Sequence, residues 1–310
     1  MIFLALSILF GAMFAVIFKV CQKKGIDAGQ VTMFNYIVAL TVSVIPIVAD
    51  IISDSPATVA DYALTPASAG LAVWQGVLFF LGFFIMDRCT WRNGVALTTA
   101  AARASLVIPL ILSALLLSQD MPNWPIVGLI IAAMLMIALS AESQKHDSTL
   151  QTGISDRSRR IKTMLALLAV FLTYGISDFS LKLTQHSVEA GCDSTAAVDM
   201  KTSSQMAIIF LSAALTALAV NLAKGSFRKN PVSVKAVLGG LVLGLANCAC
   251  TSCNLKALAR ISTSVFYPLY NIGIVVIGTV VGVLVFKEKL KAVQAAGLAL
   301  AVAAIALQLL

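Results

Sequence analysis

The stretch TAAARASLVIPL, residues 99–110, carries a single arginine among small and apolar neighbours. Between Arg92 and Lys145 no other basic residue occurs, so Arg103 holds a permanent charge alone in an apolar run. A guanidinium can grip a carboxylate or phosphate with two parallel hydrogen bonds, which suits an anion contact. The same charge could instead sit in a structural pair with Asp178 or with helix carbonyls. Asp178 and Lys182, in SDFSLK, are spaced i,i+4 and so share a helix face, which allows either an ion pair or a proton-coupling role. The run SVFYPLYNIG puts Tyr267, Tyr270 and Asn271 beside Pro268, whose missing N–H leaves the carbonyl of Ser264 without its helical partner. Pro109 follows Arg103 by six residues and is a second candidate hinge. Trp74, Gln75 and Asn247 are further polar or amphipathic residues inside apolar runs, candidates for the wall of a binding cavity.

Covalent and metal chemistry find little support. Neither GxSxG nor HExxH occurs, and the two histidines, His146 and His186, lie in polar connectors. Cys248, Cys250 and Cys253 fall in one apolar run, LANCACTSCN, where a zinc site would draw its ligands from separate elements. We read them as small residues that let helices approach. No catalytic residue, metal or cofactor is expected, and the chain is not expected to be an enzyme.

These polar residues must be held by elements that the composition defines. Of 310 residues 59% are hydrophobic and only 12% charged, and the mean hydropathy is +0.95, too little charge to cover a soluble domain of that length. A membrane-crossing helix takes about 20 apolar residues. Ten such runs fit the chain, at 2–20, 29–49, 67–87, 94–117, 124–141, 163–183, 203–223, 235–257, 262–286 and 291–310. The predicted fold is an all-α integral membrane protein with ten transmembrane helices. Arg103 then lies nine residues beyond Gly94, roughly 14 Å into a hydrocarbon layer of about 30 Å. A charge at that depth costs about 2.5–3.5 kcal/mol on insertion scales, so such a residue reads first as functional.

The basic residues divide seventeen to four between the two faces these spans define, with Arg103 in neither group. The rich face, which includes the polar segment 142–162, is expected to be cytoplasmic, with both termini exoplasmic. The pI near 9.3 thus reflects flanking charges, and no nucleic-acid partner is expected. The parts on either side of 142–162 also resemble each other. A slide of 169 residues matches Gly128 to Gly297, one of 163 matches Lys19 to Lys182, and one of 170 pairs Asn35 with Gln205. Five spans per half is odd, so the copies, 1–141 and 163–310, would be inverted, the arrangement of alternating-access carriers.

The segments FGAMFAVIFKV, YGISDFSLK and ALARISTSVFYPLYNIG through VFKEKLKAVQAAGLALAVAAIAL resemble the EamA-type carriers of the drug/metabolite transporter superfamily over essentially the whole chain. The most specific piece is the final hairpin, with Phe-Lys-Glu-Lys-Leu followed by Gln294 and Gly297. The resemblance implies two inverted EamA-like five-helix repeats, with a central cavity walled by the first four helices of each half. Two features depart from the family pattern: Gln119-Asp120 stands where the first repeat should match Glu288, and the charge bias puts the termini on the unusual side. The function so implied is a secondary membrane transporter moving a small polar or anionic metabolite, or a drug-like solute, by alternating access. A lipid or lipid-linked substrate flippase and a non-transporting membrane sensor share the fold and stand as alternatives. The expected partners are a small-molecule substrate and the lipid bilayer, with a coupling ion as an open option. The chain would act as a monomer or homodimer in a bacterial inner or plasma membrane.

Overall fold

The structure, a computed structural model, describes residues 1–53, 58–93, 95–118, 121–142, 156–224, 231–284 and 292–309. Gln119, Asp120, Glu288 and most of the segment 142–162 lie outside the described residues, as do the side chains of Lys19 and Ala100. Every regular element described is helical, and there is no strand among the described residues. In chain order the helices are α1 (Ile2–Lys23), α2 (Ala28–Ile52), a 3-10 turn (Val59–Tyr62), α3 (Pro66–Asn93), α4 (Val95–Ala104) and α5 (Val107–Leu116). They continue with α6 (Trp124–Glu142), α7 (Asp156–Glu189), α8 (Thr195–Ala223), α9 (Val234–Leu258), α10 (Thr263–Leu284) and α11 (Ala292–Leu309).

Among the described residues, six helical stretches are long and apolar enough to cross a membrane: Ala28–Ile52, Pro66–Thr90, Ile161–Glu189, Thr195–Ala223, Val234–Leu258 and Thr263–Val281. Shorter apolar stretches, Ile2–Phe14, Ala101–Leu116, Trp124–Met136 and Ala292–Ala304, fall within the remaining four expected spans. Helix starts are set by local capping. The Asp27 carboxylate accepts from the N–H groups of Gly29 and Gln30 at 2.8 and 3.2 Å, opening α2. Ser194 and Ser233 do the same for α8 and α9 through the N–H groups of Ala197 and Ala236. Each satisfies a donor that has no partner inside its own helix.

The span expected at 94–117 is not one helix. It breaks at Ser105 and Leu106 between α4 and α5, and the cause is Pro109, third residue of α5. The proline ring would collide with the Ser105 carbonyl in a continuous α-helix and offers it no N–H. That carbonyl turns to the Ile108 N–H at 2.9 Å, while Arg103 O takes the Leu106 N–H at 3.3 Å, two tight three-residue turns in succession. By contrast, α10 runs without interruption through Pro268. Of the two prolines expected as hinges, Pro109 stands just after a helix break and Pro268 lies inside a continuous helix.

The chain forms two compact units. The first, Met1–Leu81 with Ser180–Ile261, packs α2 against α8 and α9, and α1 against α9. Small residues permit the α2–α9 approach. A Cβ on Gly244 would come within 2.6 Å of the Asn35 carbonyl oxygen and 2.7 Å of Val38 Cβ, so only glycine fits, as at close helix crossings in membranes. The second unit, Gly82–Phe179 with Ser262–Leu310, packs α6 against α4 and α11, and α10 against α5, α6 and α11.

Candidate functional site

Arg103 is the last-turn basic residue of α4. A cation there meets the negative end of the helix dipole, which offsets part of the cost of its burial. Its Nη1 donates to Oδ1 of Asn271 on α10 at 3.2 Å. Asn271 is 1% exposed, and its Nδ2 donates in turn to the Tyr267 carbonyl at 3.0 Å, one turn back on the same helix. The Tyr267 hydroxyl donates to the backbone carbonyl of Asp178 on α7. Arg103, Asn271, Tyr267 and Asp178 thus form one polar chain across α4, α10 and α7, wholly within the second unit.

Aromatic packing fixes the α10 side of this chain. Phe266 stacks on Tyr270 with centroids 5.4 Å apart and meets Tyr267 edge to face at 5.1 Å. Tyr267, Tyr270 and Asn271 are spaced i, i+3 and i+4, which puts them on one helix face. On the opposite wall, α7 comes close to the first turn of α5 because residue 175 is glycine. A Cβ there would lie 2.4 Å from Ile108 Cδ1 and 2.7 Å from Ile108 Cβ. Gly175 thus allows α7 to press on the turn that follows the helix break.

The charge of Arg103 has two ionisable neighbours on α7. Asp178 and Tyr174 lie within electrostatic reach of it. Among the described residues, however, no carboxylate closes an ion pair with the guanidinium. Its Nε–H is buried and has no hydrogen-bond partner among the described residues. An orphaned donor on a charged group is costly to keep unless something fills it. The arrangement can therefore receive an acceptor, and a negatively charged one best.

The other sequence candidates lie in the first unit. Gln75 is fully buried while its neighbour Trp74 is 50% exposed, so consecutive residues of α3 point to different surroundings. Asn247 on α9 donates to Oδ1 of Asn35 on α2 at 3.2 Å, an interhelical link at the same crossing as Gly244. Lys182, 4% exposed, donates to the Leu258 carbonyl at 2.7 Å, at the C-terminal end of α9. This bond, and not an ion pair with Asp178, takes up the ammonium. Cys248 and Cys250 are buried in the same unit, and Cys250 Sγ donates to the Ser7 carbonyl at 3.4 Å. Tyr174 and Gly175 escaped the sequence reading, since neither a tyrosine nor a glycine in an apolar run signals a neighbour on another helix.

No protein-family profile matches the chain. A protein of Haemophilus influenzae, described only as uncharacterized, is 27% identical over 305 residues, covering 97% of this chain and 95% of its own. A protein of known crystal structure superposes with a TM-score of 0.72 at 12% identity, over 99% of this chain and 96% of the other. That likeness shows a shared fold along nearly the whole length.

Proposed function

We propose that this protein is a secondary transporter of the EamA type within the drug/metabolite transporter superfamily, moving a small polar or anionic metabolite by alternating access. The observation that carries the reading is Arg103: a permanent charge whose buried Nε–H has no partner among the described residues, two residues before the start of a proline-induced break in an apolar helix. Broken helices with polar side chains at the break are how carriers offer groups to a substrate inside the membrane. The six long apolar helices and four shorter ones support ten spans in two inverted five-helix repeats, 1–141 and 163–310. The charge bias supports a cytoplasmic 142–162 segment and exoplasmic termini.

Two measurements test this. Purified protein in liposomes should exchange a labelled carboxylate or phosphate solute from a broad panel, and Arg103→Met should abolish that flux. A failure of every solute in the panel to move would reject the transporter reading. Alkaline phosphatase fused to the C-terminus should be active and a fluorescent protein dark. Bright fluorescence without phosphatase activity would invert the topology.

A further inference from the structure

The first unit holds a second polar constellation that the Arg103 site does not use. An open pocket of about 100 Å³ lies among the C-terminal end of α7, the first turns of α8 and the C-terminal end of α9. Gln185 and Glu189 from α7, Thr202 and the exposed Asp199 from α8, Lys256 at the end of α9 and Arg260 in the turn just beyond it line the pocket. Gln185 and Thr202 are 1% and 3% exposed, yet Gln185 Oε1 and Thr202 Oγ1 have no hydrogen-bond partner among the described residues, and neither does Glu189 Oε1. Three buried oxygens without partners on one pocket wall would each carry a desolvation penalty if nothing met them.

We propose that this pocket binds a small zwitterion through a primary ammonium held by Gln185 Oε1, Glu189 Oε1 and Thr202 Oγ1, with its anionic group toward Lys256 and Arg260. The numbers match: an ammonium has three donors and no acceptor, and the wall offers three acceptors, one of them charged. A bare inorganic cation fits the pocket less well, because it would leave Lys256 and Arg260 with no anionic group to face. A bare anion would leave the three oxygens unmet. A zwitterion satisfies both sides, and Glu189 with Asp199 against Lys256 with Arg260 makes the wall neutral in sum. Phe3 sits against both bases, 5.8 Å from Lys256 Nζ and 4.9 Å from the Arg260 guanidinium carbon. The site is independent of the transport reading, since it lies entirely within the first unit and needs no flux to be detected.

The test uses the full chain in detergent and reads ligand-dependent thermal stabilisation with three probes: glycine, ethylammonium chloride and sodium acetate. Glycine should raise the melting temperature most, ethylammonium weakly and acetate not at all. Thr202→Val and Glu189→Gln should each weaken the apparent glycine affinity by about tenfold or more, as expected for losing a hydrogen bond to a charged group. Thr202→Ser should restore it. Should Thr202→Val fail to fold, Glu189→Gln, at a partly exposed position, carries the test alone. Equal stabilisation of parent and variants by glycine would overturn the proposal. Stabilisation by sodium chloride alone, with no further effect of glycine, would overturn it in favour of an inorganic cation.

Discussion

Arg103 on α4 and Asn271 on α10 are joined by a 3.2 Å hydrogen bond across 168 residues of sequence. Among the described residues, the partner of this half-buried charge is thus a neutral amide. An amide carbonyl can orient a guanidinium and take one of its donors, but it leaves the positive charge in place. A carboxylate at the same position would cancel that charge. The choice of asparagine keeps Arg103 both fixed and electrostatically available.

Two substitutions at Asn271 separate these roles. Asn271→Leu removes the acceptor and should destabilise by about 1.5–3 kcal/mol, the range for a hydrogen bond to a charged group. Asn271→Asp should hold the guanidinium at least as well, so the melting temperature should stay or rise. It should also abolish any stabilisation by carboxylate or phosphate solutes, because the charge is then paired. Undiminished anion-induced stabilisation in Asn271→Asp would show that Arg103 does not meet the anion.

Pro109→Ala supplies an N–H four residues after Ser105, whose carbonyl now accepts from Ile108 at 2.9 Å. The expected outcome is fusion of α4 and α5, slower amide hydrogen exchange across 105–109, and transport that slows without loss of thermal stability. Pro268→Ala, in a helix that is already continuous, should change transport less. The comparison is made in one preparation by exchange mass spectrometry and flux. Unaltered exchange across 105–109 would place the cause of the break elsewhere than at Pro109.

The apolar spans were legible because length and hydropathy are properties of contiguous sequence. The run expected at 29–49 is realised as Ala28–Ile52, and that at 235–257 as Val234–Leu258. The polar network was legible only in part. Arg103, Tyr267 and Asn271 stood out as polar residues inside apolar runs, but the bond between two of them depends on how α4 meets α10. Both prolines invited a break, and nothing local separates them. Pro109 sits where α5 begins, and Gly175 lets α7 lie against that same turn. The wall made by Gln185, Glu189 and Thr202 draws on two helices, and each residue alone reads as an ordinary helix-end polar group.

Gly244→Ala tests the tightest crossing in the first unit. Its new methyl would lie 2.6 Å from Asn35 O and 2.7 Å from Val38 Cβ, and neither can swing aside as a flexible chain end could. A loss of about 1–3 kcal/mol is expected, as for other overpacked cores, together with weakening of the adjacent Asn247–Asn35 bond. Thermal unfolding in detergent measures it. A stability equal to the parent's would mean that α2 and α9 can separate without cost.

Outside the spans, Tyr62 in the 3-10 turn donates its hydroxyl hydrogen to the Asp50 carboxylate. That bond, with desolvation and the charge of Asp50 adding to it, pushes the Tyr62 hydroxyl up to about 12 from an ordinary value of 10.0. The raised value means that folding favours the neutral phenol. The contribution is therefore complete below pH 10 and is lost as pH rises through about 12. Tyr62→Phe should remove this part of the alkaline stability loss, seen by comparing melting curves of the two proteins between pH 9 and pH 12, roughly the window set by the shift. Tyrosinate absorbance should show one fewer late-titrating phenol in the variant. Coincident alkaline profiles would show that the Asp50 contact does not persist in solution.

Arg103→Lys addresses the candidate site directly. Lysine preserves the charge and most of the length, so insertion and folding should survive, but its ammonium is a point donor and cannot present two parallel N–H groups to a carboxylate or phosphate. Nor does it reproduce the buried Nε–H that has no partner among the described residues. The anionic solute that moves in the liposome assay should therefore stabilise Arg103→Lys far less than the parent, with a fall in affinity of about tenfold or more. Arg103→Met should show none of this stabilisation. If the arginine serves only to hold α4 to α10 through Asn271, Arg103→Lys would keep the parent's response to the solute and Arg103→Met would only melt earlier. Equal stabilisation of parent and Arg103→Lys by that solute would remove Arg103 from the binding site and leave it as a helix-to-helix link.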